Sequence, residues 1–268
     1  MSEDREGTVG TRPRAAAGPS GARALPALVV FDHDGVLVDS IGSDFEACRR
    51  LFGEHGVELP VERWAREVCG NTDGYDALFA LLPAAGTNPA RVAGAGRARP
   101  DGCPPEGVPD RYLWTRLKAL WKELQVPENV PLMPGVRELL TRLADRGVRL
   151  AVASSADRGW VLRWLGHYGL TELFDTLVCG DDVPRRKPAP DVYTEAARRL
   201  GVPAARCLAV EDSLTGVTAA RAAGMRVAAV PTSYTRSLDY GVADAVLTGL
   251  FELSDELLHE LFREDDHV

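Results

Sequence analysis

Residues 27 to 40 read Ala27-Leu28-Val29-Val30-Phe31-Asp32-His33-Asp34-Gly35-Val36-Leu37-Val38-Asp39-Ser40. An apolar, β-branched run stops at two carboxylates, Asp32 and Asp34, followed by a glycine. Such a run suits a strand covered on both faces, as strands of a parallel sheet are. The two acids then stand at its C-terminal mouth, where open α/β sheets bind ligands. Gly35 allows the chain to turn away sharply, because only glycine takes positive φ without steric cost. With the alternation of a strand continued past Phe31, His33 is expected to point opposite to both neighbouring acids.

Outward from that strand, Ile41 to Glu54 and Val61 to Val68 have helical character, and Tyr75 to Leu82 continues it with Leu78, Phe79 and Leu82 on one side. A Gly/Ala/Pro/Arg-rich stretch from Pro83 to Pro109 breaks all periodicity and reads as a long loop. From Asp110 helix resumes, with Leu113, Leu117, Leu120, Trp121 and Leu124 on one face and Arg111, Lys118 and Lys122 on the other. Beyond residue 134 helices and strands alternate: helices at Val136 to Asp145, Asp157 to Tyr168, Asp191 to Leu200, Leu214 to Ala223 and from Leu253; strands at Val148 to Ala153, Thr176 to Cys179, Cys207 to Val210, Val227 to Val230 and near Val246. This pattern implies βαβ units and a parallel sheet. The expected fold is α/β, a Rossmann-like parallel core over residues 26–40 and 131–268 interrupted by an α-helical insert over 41–130. Residues 1–25, rich in Arg, Gly, Ala and Pro, read as a disordered tail.

At 268 residues with 45% hydrophobic content, the chain can bury a sizeable core. A formal charge of −8 argues against nucleic acid or a membrane surface as partner. Five cysteines without a C-x-x-C pair suit a reduced, cytoplasmic protein. No stretch has the length of apolar sequence a membrane span needs, and Met1 to Ala24 lacks a signal peptide's apolar centre. Of 31 cationic residues only Lys118, Lys122 and Lys187 are lysines, so each is an exception.

Three of the expected strands end in residues suited to phosphate: Asp32 and Asp34, then Ser154 and Ser155, then Glu211 and Asp212. Between the last two pairs, Lys187 offers a compact point charge ahead of a helix. Taken in order, Asp32 to Ser40, Ala151 to Ser155, Lys187-Pro188, and Val210 to Ser213 running to Gly216 and Ala223-Gly224-Met225 resemble the haloacid dehalogenase superfamily of phosphotransferases. The resemblance is to members with a helical C1-type cap after the first strand, the phosphoglycolate phosphatase and β-phosphoglucomutase-like group, and it covers about Leu25 to Leu257.

What the resemblance implies is specific. Asp32 is expected to be the nucleophile that forms an aspartyl-phosphate, and Asp34 the acid and then the base. Mg²⁺ is expected on Asp32, the main-chain carbonyl of Asp34, and Asp212, with Glu211 a direct or water-mediated ligand. Ser154 would hydrogen-bond the phosphoryl group, Ser155 would do the same or cap the helix opening at Asp157, and Lys187 would pair with phosphate and Asp32. Asp39-Ser40 is expected to mark the hinge into the cap. Candidates for substrate choice are Asn71, Asp73, Tyr75 and Arg111.

The expected activity is a Mg²⁺-dependent phosphatase of a small phosphorylated metabolite, a sugar phosphate or phosphoglycolate-like acid, in a monomer or homodimer. Dehalogenases lack the second acid that Asp34 supplies here. Phosphonate-cleaving relatives need a desolvated cap lysine, and Lys118 and Lys122 fall on a polar face. A β-phosphoglucomutase-like enzyme is the alternative, but its Gly-x-x-Arg turn corresponds here to Gly70-Asn71-Thr72-Asp73, and Asp44 stands near the place of its early cap histidine. A phosphoacceptor signalling domain, also built on clustered acids and a lysine, has no helical insert of this size.

Overall fold

The structure, a computed structural model, describes residues 25–71, 74–82 and 110–263. The 83–109 loop, Asp73 and all but the last residue of the 1–25 tail lie outside the described residues. In chain order the strands are β1 (Leu28–Phe31), β2 (Arg149–Ala153), β3 (Thr176–Val178), β4 (Cys207–Glu211), β5 (Arg226–Ala229) and β6 (Ala245–Val246). All pair in parallel, in the order β3-β2-β1-β4-β5-β6.

β1 is fully buried, and its side chains divide by parity. Val29 and Phe31 enter one core layer with Leu150 and Val152 of β2 and Leu208 and Val210 of β4; Leu28 and Val30 enter the other with Ala151, Ala153, Cys207 and Ala209. Two apolar layers sandwiching one sheet explain why these strands read as unbroken apolar runs. Phe31 pairs in register with both Val152 and Val210. Asp32 and Glu211 come one residue beyond those positions and Ser154 two, so all three emerge at one edge. The strand order also reverses beside β1, a switch point of the kind that opens a crevice.

The helices are α1 (Ile41–Glu54), α2 (Val61–Glu67), α3 (Gly74–Phe79), α4 (Asp110–Leu124), α5 (Val136–Asp145), α6 (Arg158–His167), α7 (Asp191–Leu200), α8 (Leu214–Ala222) and α9 (Asp255–Leu261). α1 to α4 build their own apolar cluster, in which Leu51, Trp64, Leu78, Leu113 and Leu117 are buried. Lys118 and Lys122 are exposed, as the polar face of α4 implies. The two ends of this insert are tied together at its root. Asp39 N–H donates to Pro131 O at 2.8 Å, Met133 N–H donates to Leu37 O at 3.0 Å, and Val38 bridges Leu132.

Several expected bounds shift by a residue or more. The helix expected over Tyr75 to Leu82 starts at Gly74 and is already a turn by Ala80. The helix expected from Leu253 starts at Asp255, because Ser254 Oγ accepts from Leu257 N–H and caps it. Asp157 and Tyr168 flank α6 rather than belonging to it. Cys48, Cys69, Cys179 and Cys207 are free and buried. Among the described residues no helix is long and apolar enough to cross a membrane.

Candidate active site

At the C-terminal edge of β1, β4 and β2, a buried charge network forms around one lysine. Lys187 Nζ donates to Asp32 Oδ1 at 2.5 Å, to Glu211 Oε1 at 2.6 Å and to the carbonyl of Ala153 at 2.9 Å. Burial alone would lower the Lys187 ammonium, but the Asp32 and Glu211 carboxylates outweigh it and hold it above its ordinary value. Burial pushes the Asp32 carboxyl up to about 7, with Glu211 and Asp34 adding to the effect and Lys187 pulling against it. The Asp212 carboxyl is driven well above the usual range by burial and by repulsion from Asp32 and Glu211. Too many carboxylates share one cation.

That excess decides how well a metal fits. Carboxylate oxygens of Asp32, Glu211 and Asp212 lie within 4.8 Å of one another, all buried. Hard oxygen donors with surplus negative charge suit Mg²⁺. Glu211, however, is heavily engaged: Oε1 accepts from Lys187 and from Tyr193 Oη at 2.5 Å, and Oε2 accepts from the N–H groups of Asp212 and Ser213 and from Ser213 Oγ. This arrangement makes Glu211 a buttress for Lys187 and the Asp212 loop rather than a free ligand. The main chain of Asp212 is itself clamped, its carbonyl accepting from Thr235 Oγ1 at 3.0 Å and Tyr240 Oη at 2.5 Å.

Gly35 sits in the turn after β1 at φ +84°, and a Cβ there would lie 2.2 Å from Asp212 Oδ2. Both facts demand glycine. Gly35→Ala is expected to cost more than about 1 kcal/mol of stability and, by displacing Asp212, on the order of 10²-fold in turnover. Denaturant unfolding and steady-state kinetics measure the two; a variant with wild-type turnover would show that Asp212 need not stay where it is.

Asp34 is held by two hydrogen bonds, with His33 close by. Ser40 Oγ donates to Oδ1 at 2.6 Å, Trp160 Nε1 donates to the same oxygen at 2.8 Å, and His33 Nδ1 lies 3.2 Å from Oδ2. Burial works to raise this carboxyl, but His33, Ser40 and Trp160 win and keep it below its ordinary value. Two expectations are corrected here. His33 does not point away from Asp34, because β1 ends at Phe31 and the Gly35 turn breaks the alternation of the strand. Ser40 is more than a hinge mark: its hydroxyl makes no cap bond to α1 and turns to Asp34 instead.

Ser154 is buried, and its Oγ accepts from Ala156 N–H at 3.0 Å, leaving its own hydroxyl hydrogen to donate. Ser155 does not cap α6; its buried Oγ has no hydrogen-bond partner among the described residues. A cavity of about 300 Å³ joins these groups. Its walls include Asp32, Asp34, Ser154, Ser155, Lys187 and Asp212 from the core and Asp44, Asn71, Tyr75, Trp121 and Gln125 from the insert. Arg111 is exposed and is not among the lining residues. Trp160, Ser40, Asp44 and Trp121 are cavity residues that sequence reasoning did not select.

The haloacid dehalogenase-like hydrolase family model matches residues 29–230, so the chain belongs to that family. It is an enzyme of the phosphatase kind within it. Protein CbbY of Rhodobacter capsulatus is 31% identical over 242 residues, covering 87% of this chain and 97% of that protein. Hexitol phosphatase B of Escherichia coli strain K12 is 35% identical over 130 residues, 48% of this chain and 59% of that protein. The solved structure of a CbbY mutant from Rhodobacter sphaeroides in complex with xylulose-1,5-bisphosphate superposes with a TM-score of 0.60 at 28% identity, covering 86% of this chain and 97% of that one.

Proposed function

We propose that this chain is a Mg²⁺-dependent phosphatase of a small, sugar-phosphate-like metabolite that works through an aspartyl-phosphate on Asp32. The observation that carries the reading is the division of labour between two acids two residues apart. Asp32 is gripped by Lys187, and Asp34 is gripped by Ser40 and Trp160.

An Asp32 oxygen attacks phosphorus while the bond to the leaving oxygen breaks, and Asp34 gives that oxygen its proton. A phosphoryl dianion arriving beside Asp34 raises its pKa and lets it hold the proton it must donate. Water then loses a proton to Asp34 and attacks the same phosphorus, which frees phosphate and restores Asp32. Lys187 neutralises charge on Asp32 and the phosphoryl oxygens, and Ser154 donates its hydroxyl hydrogen to one of them. Asp32, Asp212 and the carbonyl of Asp34 would hold Mg²⁺, with Glu211 steadying the set. When bound, the ion supplies positive charge to the transferring phosphoryl group. The helical insert acts as a cap that shuts water out during the first step.

A mutase would need a cation in the insert to grip a second phosphate. Among the described cavity residues the cations are Arg186 and Lys187, both in the core. The direct test is phosphate release from a panel of phosphorylated metabolites with Mg²⁺ and after chelation, beside conversion of β-glucose 1-phosphate with a bisphosphate activator. Release that chelation abolishes is expected. Conversion with no net phosphate would replace this reading with the mutase.

A further inference from the structure

The groups already given a role all lie in the core, yet the most unusual residue of the cavity lies in the insert. Asp44 is an acid on the inward side of α1, in line with buried Ile41, Cys48 and Leu51. Its carboxylate is half-buried at the cavity wall. Tyr75 Oη from α3 donates to Oδ2 at 2.6 Å, and Trp121 Nε1 from α4 donates to Oδ1 at 2.7 Å. Burial pushes this carboxyl up to about 6 in spite of those two bonds, with Asp34 adding repulsion. No cation pairs with it among the ion pairs of the described residues.

Three helices thus converge to hold a carboxylate that is costly to bury and is satisfied only by neutral donors. For the fold alone an apolar side chain would serve this stripe better. The position explains the expense. Asp44 N–H donates to the carbonyl of Ser40, whose hydroxyl touches Asp34. Asp44 therefore stands one helical turn, about 5.4 Å of rise, from the serine that binds the acid meant to meet the leaving oxygen, and both acids line the same cavity. With the nucleophile and acid at one end of that cavity and Asp44 on its insert wall, Asp44 faces the part of the substrate beyond the leaving oxygen.

We propose that Asp44, braced by Tyr75 and Trp121, is the specificity-determining residue for the leaving group: it accepts a hydroxyl of an uncharged, polyol-like leaving group and repels a second phosphoryl group. Oδ1 also takes the Cys48 thiol at 4.0 Å, but Oδ2 has one donor and two lone pairs and so keeps acceptor capacity for a donor from the cavity. Trp121, Trp160, Asn71 and Gln125 share the cavity wall, an aromatic and uncharged polar lining that matches hydroxyls on a carbon chain. A second phosphate would bring close to two negative charges against a desolvated carboxylate. This inference rests on the phosphatase reading above, and it differs from the ligand in the CbbY complex, which carries two phosphates.

The test compares kcat/KM for glucitol 6-phosphate, glucitol 1,6-bisphosphate, phosphoethanolamine and p-nitrophenyl phosphate in the wild type, Asp44→Asn and Asp44→Ser. The wild type should prefer the glucitol monophosphate. In both variants its advantage over p-nitrophenyl phosphate and over the bisphosphate should each shrink at least about tenfold. p-Nitrophenyl phosphate turnover also reports that each variant is folded. Equal losses on all four substrates would make Asp44 a structural residue and overturn the proposal, as would a wild-type preference for phosphoethanolamine or the bisphosphate. Failure of the wild type to release phosphate from any monoester would instead remove the phosphatase reading, and this inference with it.

Discussion

Asp32→Asn is expected to lose at least about 10⁴-fold in kcat and to yield no trapped phosphoenzyme. The substitution keeps the side chain's shape but leaves an amide, which is no nucleophile toward phosphorus. Lys187 keeps Glu211 and the carbonyl of Ala153 as partners, so the network should survive and the variant should fold. Substrate affinity is the second readout. With one fewer negative charge at the mouth of β1, a phosphate monoester should bind at least as tightly as to the wild type. Quenching with acid during turnover and looking for alkali-labile phosphate on the protein separates this outcome from simple misfolding. Turnover within tenfold of the wild type would remove Asp32 as the attacking group.

Lys187→Met should damage stability and catalysis together. Lys187 is buried at 4% exposure and is the only cation in contact with Asp32 and Glu211 among the described residues. Removing one partner of a buried pair costs about 3–5 kcal/mol, because the remaining charges stay buried unpaired. The loss must depend on pH. A carboxyl whose folded pKa lies above its unfolded value lends stability at low pH and loses it as pH rises through the folded pKa. Asp32 already stands at about 7 with Lys187 pulling it down, and without the lysine it moves higher. The variant should therefore approach wild-type stability near pH 5 and fall furthest behind at pH 8. Denaturant unfolding at the two values measures this, and an equal deficit at both would show that the carboxylates are not what Lys187 holds. Turnover should fall by roughly 10²–10³-fold, the scale for losing one preorganised charge-stabilising group.

The core of this site was legible because its residues sit at strand ends. A buried parallel strand leaves an unbroken apolar run, so the first polar residue after it marks the edge of the sheet. Asp32 and Glu211 were placed that way, and Lys187 stood out by its rarity. What sequence hid was set by contacts between distant elements. Trp160 reaches Asp34 across 126 positions, and Tyr193 reaches Glu211 from the helix after the lysine. His33 lies beside Asp34 because the rule of alternation does not carry two residues past the end of the strand. Asp44 did leave a signal, an acid in the helical stripe Ile41, Cys48, Leu51, though only the hydroxyl of Tyr75 and the indole of Trp121 make sense of it.

The short ladder at the root of the insert, where Val38 and Leu132 lie side by side, bears on how such a protein can change over time. Chain leaves the core and returns to it through one narrow stem, while the acids that handle phosphorus stay bolted to the sheet. Asp44 and the Tyr75 and Trp121 that brace it are carried between those two crossing points. A segment mounted on a single stem can be rewritten, lengthened or traded for another without disturbing the chemistry beneath it. New selectivity can thus be acquired by inheritance of a whole cassette, and Val38 and Leu132 mark where an engineer would cut.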